Sequence, residues 1–415
     1  MNEREFAVEV TRRLQDAGHE ALWAGGCVRD QLLGLDPKDY DVATSARPEQ
    51  VQELFGRHRS LAIGASFGVI TILGPEKSAG QIEVATFRND GDYSDGRRPD
   101  SVEYSTAEED AQRRDFTING LFFDPIKEQV IDFVGGREDL KRRVIRAIGD
   151  AESRIDEDKL RMLRAVRFTA TFDFDLEVET ARAIERRAEQ INVVSRERVA
   201  AEFRRMFSHP QRSLAVKMLS DLGLLHELLD PELRVSAKSL AWPGAATLER
   251  LKRISTQQFS LALAMLLRDL LTEPKSLEQL GRNWKLSVDE IRSVIWLIEN
   301  ESSLLDAVNR PWPQIQRRLI QPLSRLGLEF CEVIANHTKN EAQKQSMAFC
   351  RTKLSQPPEV LNPEPLLTGD DLNAAGLKPG PKYKLLLDSV RDAQLEGKIA
   401  NSDQALELAR ELDQN

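Results

Sequence analysis

Hydrophobic positions along the chain follow two rhythms, and the change between them falls near residue 150. Before that point short apolar runs alternate with turns. Phe6, Val10, Leu14 and Ala17 recur at three- and four-residue spacing, which predicts an opening helix that Gly18 ends. The run ALWA (21–24) reads as a strand, and so do DYDVAT (39–44), GVITIL (68–73), QIEVATF (81–87) and VIDFV (130–134), with RPEQVQELF (47–55) as a helix among them. These connections do not repeat a strict strand–helix–strand alternation, so the pattern predicts a mixed sheet in an α+β unit. From Asp150 to about Ser355 the period becomes 3.6 residues, in stretches such as KLRMLRAVRFTA and AVKMLSDLGLLHELL, and predicts an all-helical region. Pro357, Pro358, Pro363 and Pro365 then mark a linker before a last helical segment that begins at Leu377.

Composition narrows the class. The 415 residues are 41% hydrophobic and 30% charged, enough apolar material for several cores, which excludes wholesale disorder. The N-terminus is charged from its third residue, and the most apolar stretch, LALAMLLRDLL (261–271), is short and interrupted by Arg268 and Asp269. A soluble, cytoplasmic protein without membrane contact is expected. Cys27, Cys331 and Cys350 fit neither a disulfide framework nor a zinc site, so zinc is excluded and a reducing compartment expected. The net charge of −9 argues against a nonspecific polycation, but residues 141–167 hold nine Lys/Arg against five Asp/Glu, a local surplus suited to phosphates.

The chemistry concentrates in LWAGGCVRDQLLGLDPKDYDVAT (22–44). A strand runs into Gly25 and Gly26 at the start of a helix, where backbone N–H groups can approach phosphate oxygens, and Arg29 adds a bidentate donor. Asp39 and Asp41 flank Tyr40 in the next strand candidate, and the period of two sends both carboxylates to one face. Two like charges so close call for a cation, and hard oxygen ligands with a phosphate substrate fit Mg²⁺ at Asp39 and Asp41. Either motif alone reads as a glycine turn or a solvated acidic strand; their succession in one strand–helix–strand unit selects the site. Glu83, on the opposite face of its strand from Ile82 and Val84, is either a third acid beside that pair or an exposed strand residue.

GGCVRDxLLG followed by DYDVAT resembles the signature of class II tRNA nucleotidyltransferases and bacterial poly(A) polymerases, within the DNA polymerase β-like nucleotidyltransferase superfamily. RRDFTINGLFFDP (113–125), DFVGGREDL (132–140), EDKLRMLRAVRF (157–168), SRERVAAEF (195–203) and the tail LLTGDDLNAAGLKPGP (366–381) extend the likeness in order. The resemblance implies a nucleotidyltransferase head over 1–150, a nucleotide-selecting helical neck over 151–210, a helical body over 211–355 and a tRNA-binding helical tail over 356–415. It also implies addition of CMP and AMP, from CTP and ATP, to the tRNA 3′ end. An enzyme adding only the terminal A, a poly(A) polymerase, or a noncatalytic RNA-binding protein are the alternatives. Poly(A) polymerases of this kind carry a basic LLGRRFRL-like stretch where this chain has LAIGASFGVITI (61–72), and both Asp39 and Asp41 are intact.

In RRDFTINGL, the core-like spacing of Phe116, Gly120 and Phe123 leaves Arg113, Arg114, Asp115 and Asn119 polar. An arginine there can meet a triphosphate, which the resemblance assigns to Arg114, and Asp115 or Asn119 can bond a ribose hydroxyl; capping and surface pairing is the competing reading. Asp158 and Arg161 are three apart, hence neighbours on a helix surface, with Arg164 and Arg167 further along. An Asp accepting from an exocyclic amine and an Arg donating to a ring edge can read C or A, and the resemblance implies that Asp158, Arg161, Arg164 and Arg167 form that protein template. A salt-bridged solvated face is the alternative. The segment RNDGDYSDGRRPDSVEYS (88–105) is too poor in apolar residues to be rigid, and the resemblance gives a loop at this position a part in adding the terminal A, with Asp95, Arg97 and Arg98 as candidate levers. No general base stands out.

Overall fold

Asn2 caps the first helix, α1 (Glu3–Asp16), with its side chain accepting from the Glu5 N–H at 2.8 Å, and Phe6, Val10 and Leu14 are buried on one stripe as the spacing predicts. Each such buried side chain contributes roughly 2 kcal/mol of apolar transfer. The structure is a computed structural model that describes all residues except 65–67, 91–101, 272, 378–379, 381 and 415. Its chain divides into two units, Met1–Ser239 and Leu240–Asn415.

The first unit is built on a seven-stranded mixed sheet of β1 (Ala21–Ala24), β2 (Asp41–Thr44), β3 (Ser60–Gly64), β4 (Val69–Leu73), β5 (Gln81–Thr86), β8 (Leu121–Asp124) and β9 (Gln129–Asp132), in the order β3-β4-β5-β2-β1-β8-β9. Only β2 and β5 run parallel; the other pairs are antiparallel. The α+β reading with a mixed sheet holds. A separate hairpin joins β6 (Arg88–Asp90) to β7 (Val102–Tyr104). Central β1 is buried along its whole length: Leu22 and Ala24 pack with Phe87, Phe122 and the α4 (Ala107–Gln112) residues Ala107 and Ala111, while Trp23 meets Tyr40 at 4.7 Å and Phe123 at 5.7 Å. Between β1 and β2 lies α2 (Gly26–Leu32), followed after β2 by α3 (Pro48–Phe55).

Several local expectations need correction. The DYDVAT strand is shorter than its alternation suggests, because the ladder begins at Asp41 and Asp39 and Tyr40 precede it. The alternation itself persists: Tyr40 and Val42 are buried, Asp39 and Asp41 exposed. Strands β3 and β8 lie where no strand is expected, β3 in a run of small residues and β8 inside a stretch read for its polar groups.

Beyond residue 150 the regular elements among the described residues are helical with one exception, the two-residue β11 (Asp175–Leu176), which pairs in parallel with β10 (Val144–Ile145). Helices α6 (Ala151–Glu157), α7 (Leu160–Phe172), α8 (Val178–Arg187) and α9 (Arg196–Phe207) complete the surroundings of the site, α5 (Gly136–Arg142) having closed the sheet region. The second unit is a helical assembly around the helix Phe259–Leu267, nearly all of it buried, and the helix Val288–Leu305. Its proline-marked linker contains a one-turn helix, Pro358–Leu361, since Pro at the first helical position is tolerated, and its last helices pack through Leu367, Leu372, Leu386, Val390, Ala405 and Ala409. Among the described residues no helix is long and apolar enough to cross a membrane.

Candidate active site

Gly25 opens the site. It caps α2 with φ of +72°, donates its N–H to the Leu121 carbonyl at 3.0 Å, and leaves room for an arginine: a Cβ there would lie 2.8 Å from Arg114 Nη1. A side chain is thus excluded twice, by conformation and by contact. Gly26 is the first residue of α2, and Arg29 follows one turn later. The Arg29 guanidinium is buried, donating to Asn119 Oδ1 at 2.6 Å and to Asp30 Oδ1 at 2.8 Å, and lies over the rings of Phe172 (4.6 Å) and Phe168 (5.2 Å).

These residues line a cleft of about 510 Å³ in the first unit, together with Asp41, Arg113, Arg114, Asp115, Asn119, Asp158, Arg161, Arg164, Arg167 and Phe168. Every residue expected to bind nucleotide faces this one cavity, and six arginines there meet three aspartates. In a chain of net charge −9 the cleft is a cationic exception, suited to a polyanionic ligand. Asp39 and Glu83 stand outside the lining but beside Asp41. Glu83 is the register partner of Asp41 across β2 and β5, and the charges of both add to burial in pushing the Asp41 carboxyl up to about 6, against the opposing pull of Arg114. Asp41 still reaches solvent through the cleft, so its surroundings strip much of its hydration without sealing it.

Burial and the charges of Asp39 and Glu83 together raise the Asp41 carboxyl, a bound cation would offset both, and the three carboxylates are hard oxygen donors that suit Mg²⁺ rather than a softer metal. Among the described residues no group of three or more His, Cys, Asp or Glu side chains converges as a ready-made metal cage.

Arg164 and Arg167 are fixed by acids that sequence periodicity does not connect to them. Asp115 accepts from Asn119 Nδ2 at 2.9 Å and from Arg164 Nε at 2.7 Å, 49 positions away. Burial alone would raise its carboxyl; Arg164 and the bond from Asn119 outweigh it and hold the group at about 2. Arg167 Nε donates to the buried Glu202 at 2.6 Å and its guanidinium lies 4.1 Å from the centre of the Phe168 ring, which Arg164 also covers at 5.2 Å.

Asp158 and Arg161 are not the helix-surface pair that their spacing suggests. Asp158 sits between α6 and α7 in extended backbone, caps the Leu160 N–H at 3.0 Å, and takes a two-pronged contact from Arg198 of α9 at 3.2 and 2.7 Å. Arg161 instead pairs with Glu157 and donates to the carbonyls of Arg154 (2.8 Å) and Arg113 (3.2 Å). Arg198 and Glu202 lie within a motif already singled out, yet only α9 packed beside α7 reveals whom they hold, whereas Glu157 stands four positions before its partner Arg161. Phe168 is the cleft's other unanticipated lining residue, and the buried Asp110 lies outside the lining; Asp110 precedes Arg113 and Arg114 by three and four positions, a spacing that could have exposed it. Asp95, Arg97 and Arg98 lie outside the described residues.

Comparison with known proteins agrees with this geometry along the whole chain. Residues 21–146 match the poly A polymerase head domain, 173–236 the probable RNA and SrmB-binding site of polymerase A, and 254–409 the putative tRNA nucleotidyltransferase domain 2. The chain is similar to the CCA-adding enzyme of Lactobacillus helveticus, 32% identical over 97% of this chain and 95% of that protein, and to that of Geobacillus kaustophilus, 32% identical over 97% and 95%. The solved CCA-adding enzyme of Bacillus stearothermophilus in complex with CTP superposes with a TM-score of 0.79 at 27% identity, over 99% of this chain and 98% of that one. That of Thermotoga maritima, complexed with tRNA, shares the fold with a TM-score of 0.66 at 19% identity, over 98% and 94%.

Proposed function

Because the chain belongs to the family of CCA-adding enzymes, we infer that it is a template-independent tRNA nucleotidyltransferase, which adds CMP and AMP from CTP and ATP to the tRNA 3′ end and releases pyrophosphate. One observation carries the reading to particular residues: a single cleft gathers the Gly25–Gly26 turn, Asp41, six arginines and the Asp158–Arg161 segment.

In this reading Gly25 and Gly26 let the triphosphate come close to backbone N–H groups, and Arg29 and Arg114 meet its oxygens. Both guanidiniums are already bonded to neighbours, so the site is organised before the nucleotide arrives. Asn119 and Asp115 face the sugar. Asp158 and Arg161 present an acceptor and a donor to the base edge, each anchored by its own partner, while Arg164 and Arg167 flank them. Asp39 and Asp41 would hold Mg²⁺, with Glu83 beside them as a third acid. When bound, the ion supplies activation of the RNA 3′-hydroxyl and charge for the departing pyrophosphate. Residues 356–415 are assigned to the tRNA, and the cytoplasm to the enzyme.

Purified protein given tRNA without its terminal nucleotides and labelled CTP or ATP should incorporate both. Asp41→Ala should remain folded and lose transfer on the order of 10³-fold or more, the scale of removing a charge-stabilising group. Near-parental incorporation by that variant would remove Asp41 from the chemistry.

A further inference from the structure

Asp110 joins the arginines of the cleft to β6. Only 2% exposed, it divides its two carboxylate oxygens between two arginines. Oδ1 accepts from Arg113 Nε and Nη2 at 2.9 and 2.6 Å and from the Arg88 N–H at 3.4 Å, whereas Oδ2 accepts from Arg114 Nε and Nη2 at 3.1 and 2.9 Å. Burial would raise its carboxyl, but Arg114 and Arg113 more than offset this and hold it low, so the group stays ionised. Arg113 Nε also donates to the Arg88 carbonyl at 2.9 Å, and the Arg113 carbonyl accepts from Arg161 Nη2 at 3.2 Å.

The direction of these bonds matters more than their number. With Nε and Nη2 committed to Asp110, the remaining Nη1 of Arg114 is turned toward the Asn119 carbonyl, at 3.3 Å, and the bare face of Gly25. Fixing Arg113 likewise fixes the carbonyl on which Arg161 rests. We propose that Asp110 is a positioning residue for the incoming nucleotide: it aims Arg114 at the triphosphate. The proposal rests on the role given above to Arg114 among the arginines of the cleft. Asp110 itself is buried beneath them and does not line the cleft.

A double-mutant cycle on kcat/KM tests it, because a residue that acts through Arg114 loses its effect once Arg114 is gone, while a merely structural residue does not. Asp110→Asn should raise KM for CTP and ATP on the order of tenfold with KM for tRNA unchanged, as expected for a misplaced binding group. In an Arg114→Ala background the same change should add less than about twofold. Should Asp110→Asn not fold, Asp110→Glu, which keeps the charge, serves in the same cycle. Parental nucleotide KM for the Asp110 variant beside an impaired Arg114→Ala, or independent multiplicative losses, rejects the proposal alone. A silent Arg114→Ala would overturn the role of Arg114, and this proposal with it.

Discussion

Asp115 shows how burial and charge compete at one residue. Held at about 2 by Arg164 and Asn119 against the opposite push of burial, its carboxyl ionises more readily in the folded protein than in the unfolded chain, where its ordinary value is 3.8. A depressed value makes the stabilisation complete above about pH 4, and it is lost as pH falls toward 2, amounting to about 2 kcal/mol. Denaturant unfolding at a series of pH values should therefore show the parent's advantage over Asp115→Asn shrinking as pH drops from about 4 to about 2. A constant advantage down to pH 2 would mean that the pair with Arg164 does not set this carboxyl. Asp115 was legible in the sequence as a polar residue left outside the core-like spacing of Phe116, Gly120 and Phe123, but its partner was not: Arg164 is 49 positions away, and no local period connects them. Asp39 and Asp41 were legible because a period of two is local, and the burial of Tyr40 and Val42 between them follows the same rule.

In the proposed reading, selectivity belongs to the elements. Asp158 lies at the break between α6 and α7, and its carboxylate both caps α7 and receives Arg198 from α9, so three helices fix the direction in which it faces the cleft. Arg161, one turn into α7, is fixed separately by Glu157. Asp158→Ala or Arg161→Ala should therefore relax discrimination, letting UTP or GTP compete by at least about tenfold more than in the parent, since a site that pairs with a base amine rejects bases lacking it. Incorporation of the four nucleotides at equal concentration gives the readout, and unchanged selectivity would return the segment to a purely structural role. The break itself escaped the sequence because the apolar stripe Leu160, Leu163, Val166 runs straight up to it, and periodicity marks a helix face better than a helix end. Strand β8 escaped for a related reason. Leu121, Phe122 and Phe123 are an unbroken apolar run buried on both faces, where alternation gives no signal.

At the scale of the molecule, net charge conceals the function and its distribution reveals it. An acidic chain keeps its cationic cleft within the first unit, where strand, turn and helix bring Gly25, Asp41 and Arg114 together from positions up to 89 apart. The mixed sheet and the helical remainder were legible from the change of period near residue 150. The acids that hold the arginines were less so: Glu202 becomes informative only when Arg167, 35 positions away, is seen against it, whereas Asp110 and Glu157 stand three or four positions from their arginines, a spacing that could have exposed them. The central claim is that this single cleft builds the whole terminus without a nucleic-acid template. Its most direct test offers the enzyme three tRNAs, lacking CCA, CA or A, with CTP alone, ATP alone or both, and resolves the products to the nucleotide. The account predicts two additions with CTP and one more with ATP on the first tRNA, one and one on the second, ATP only on the third, and arrest at CCA. Addition of A alone, or long runs of A, would contradict it.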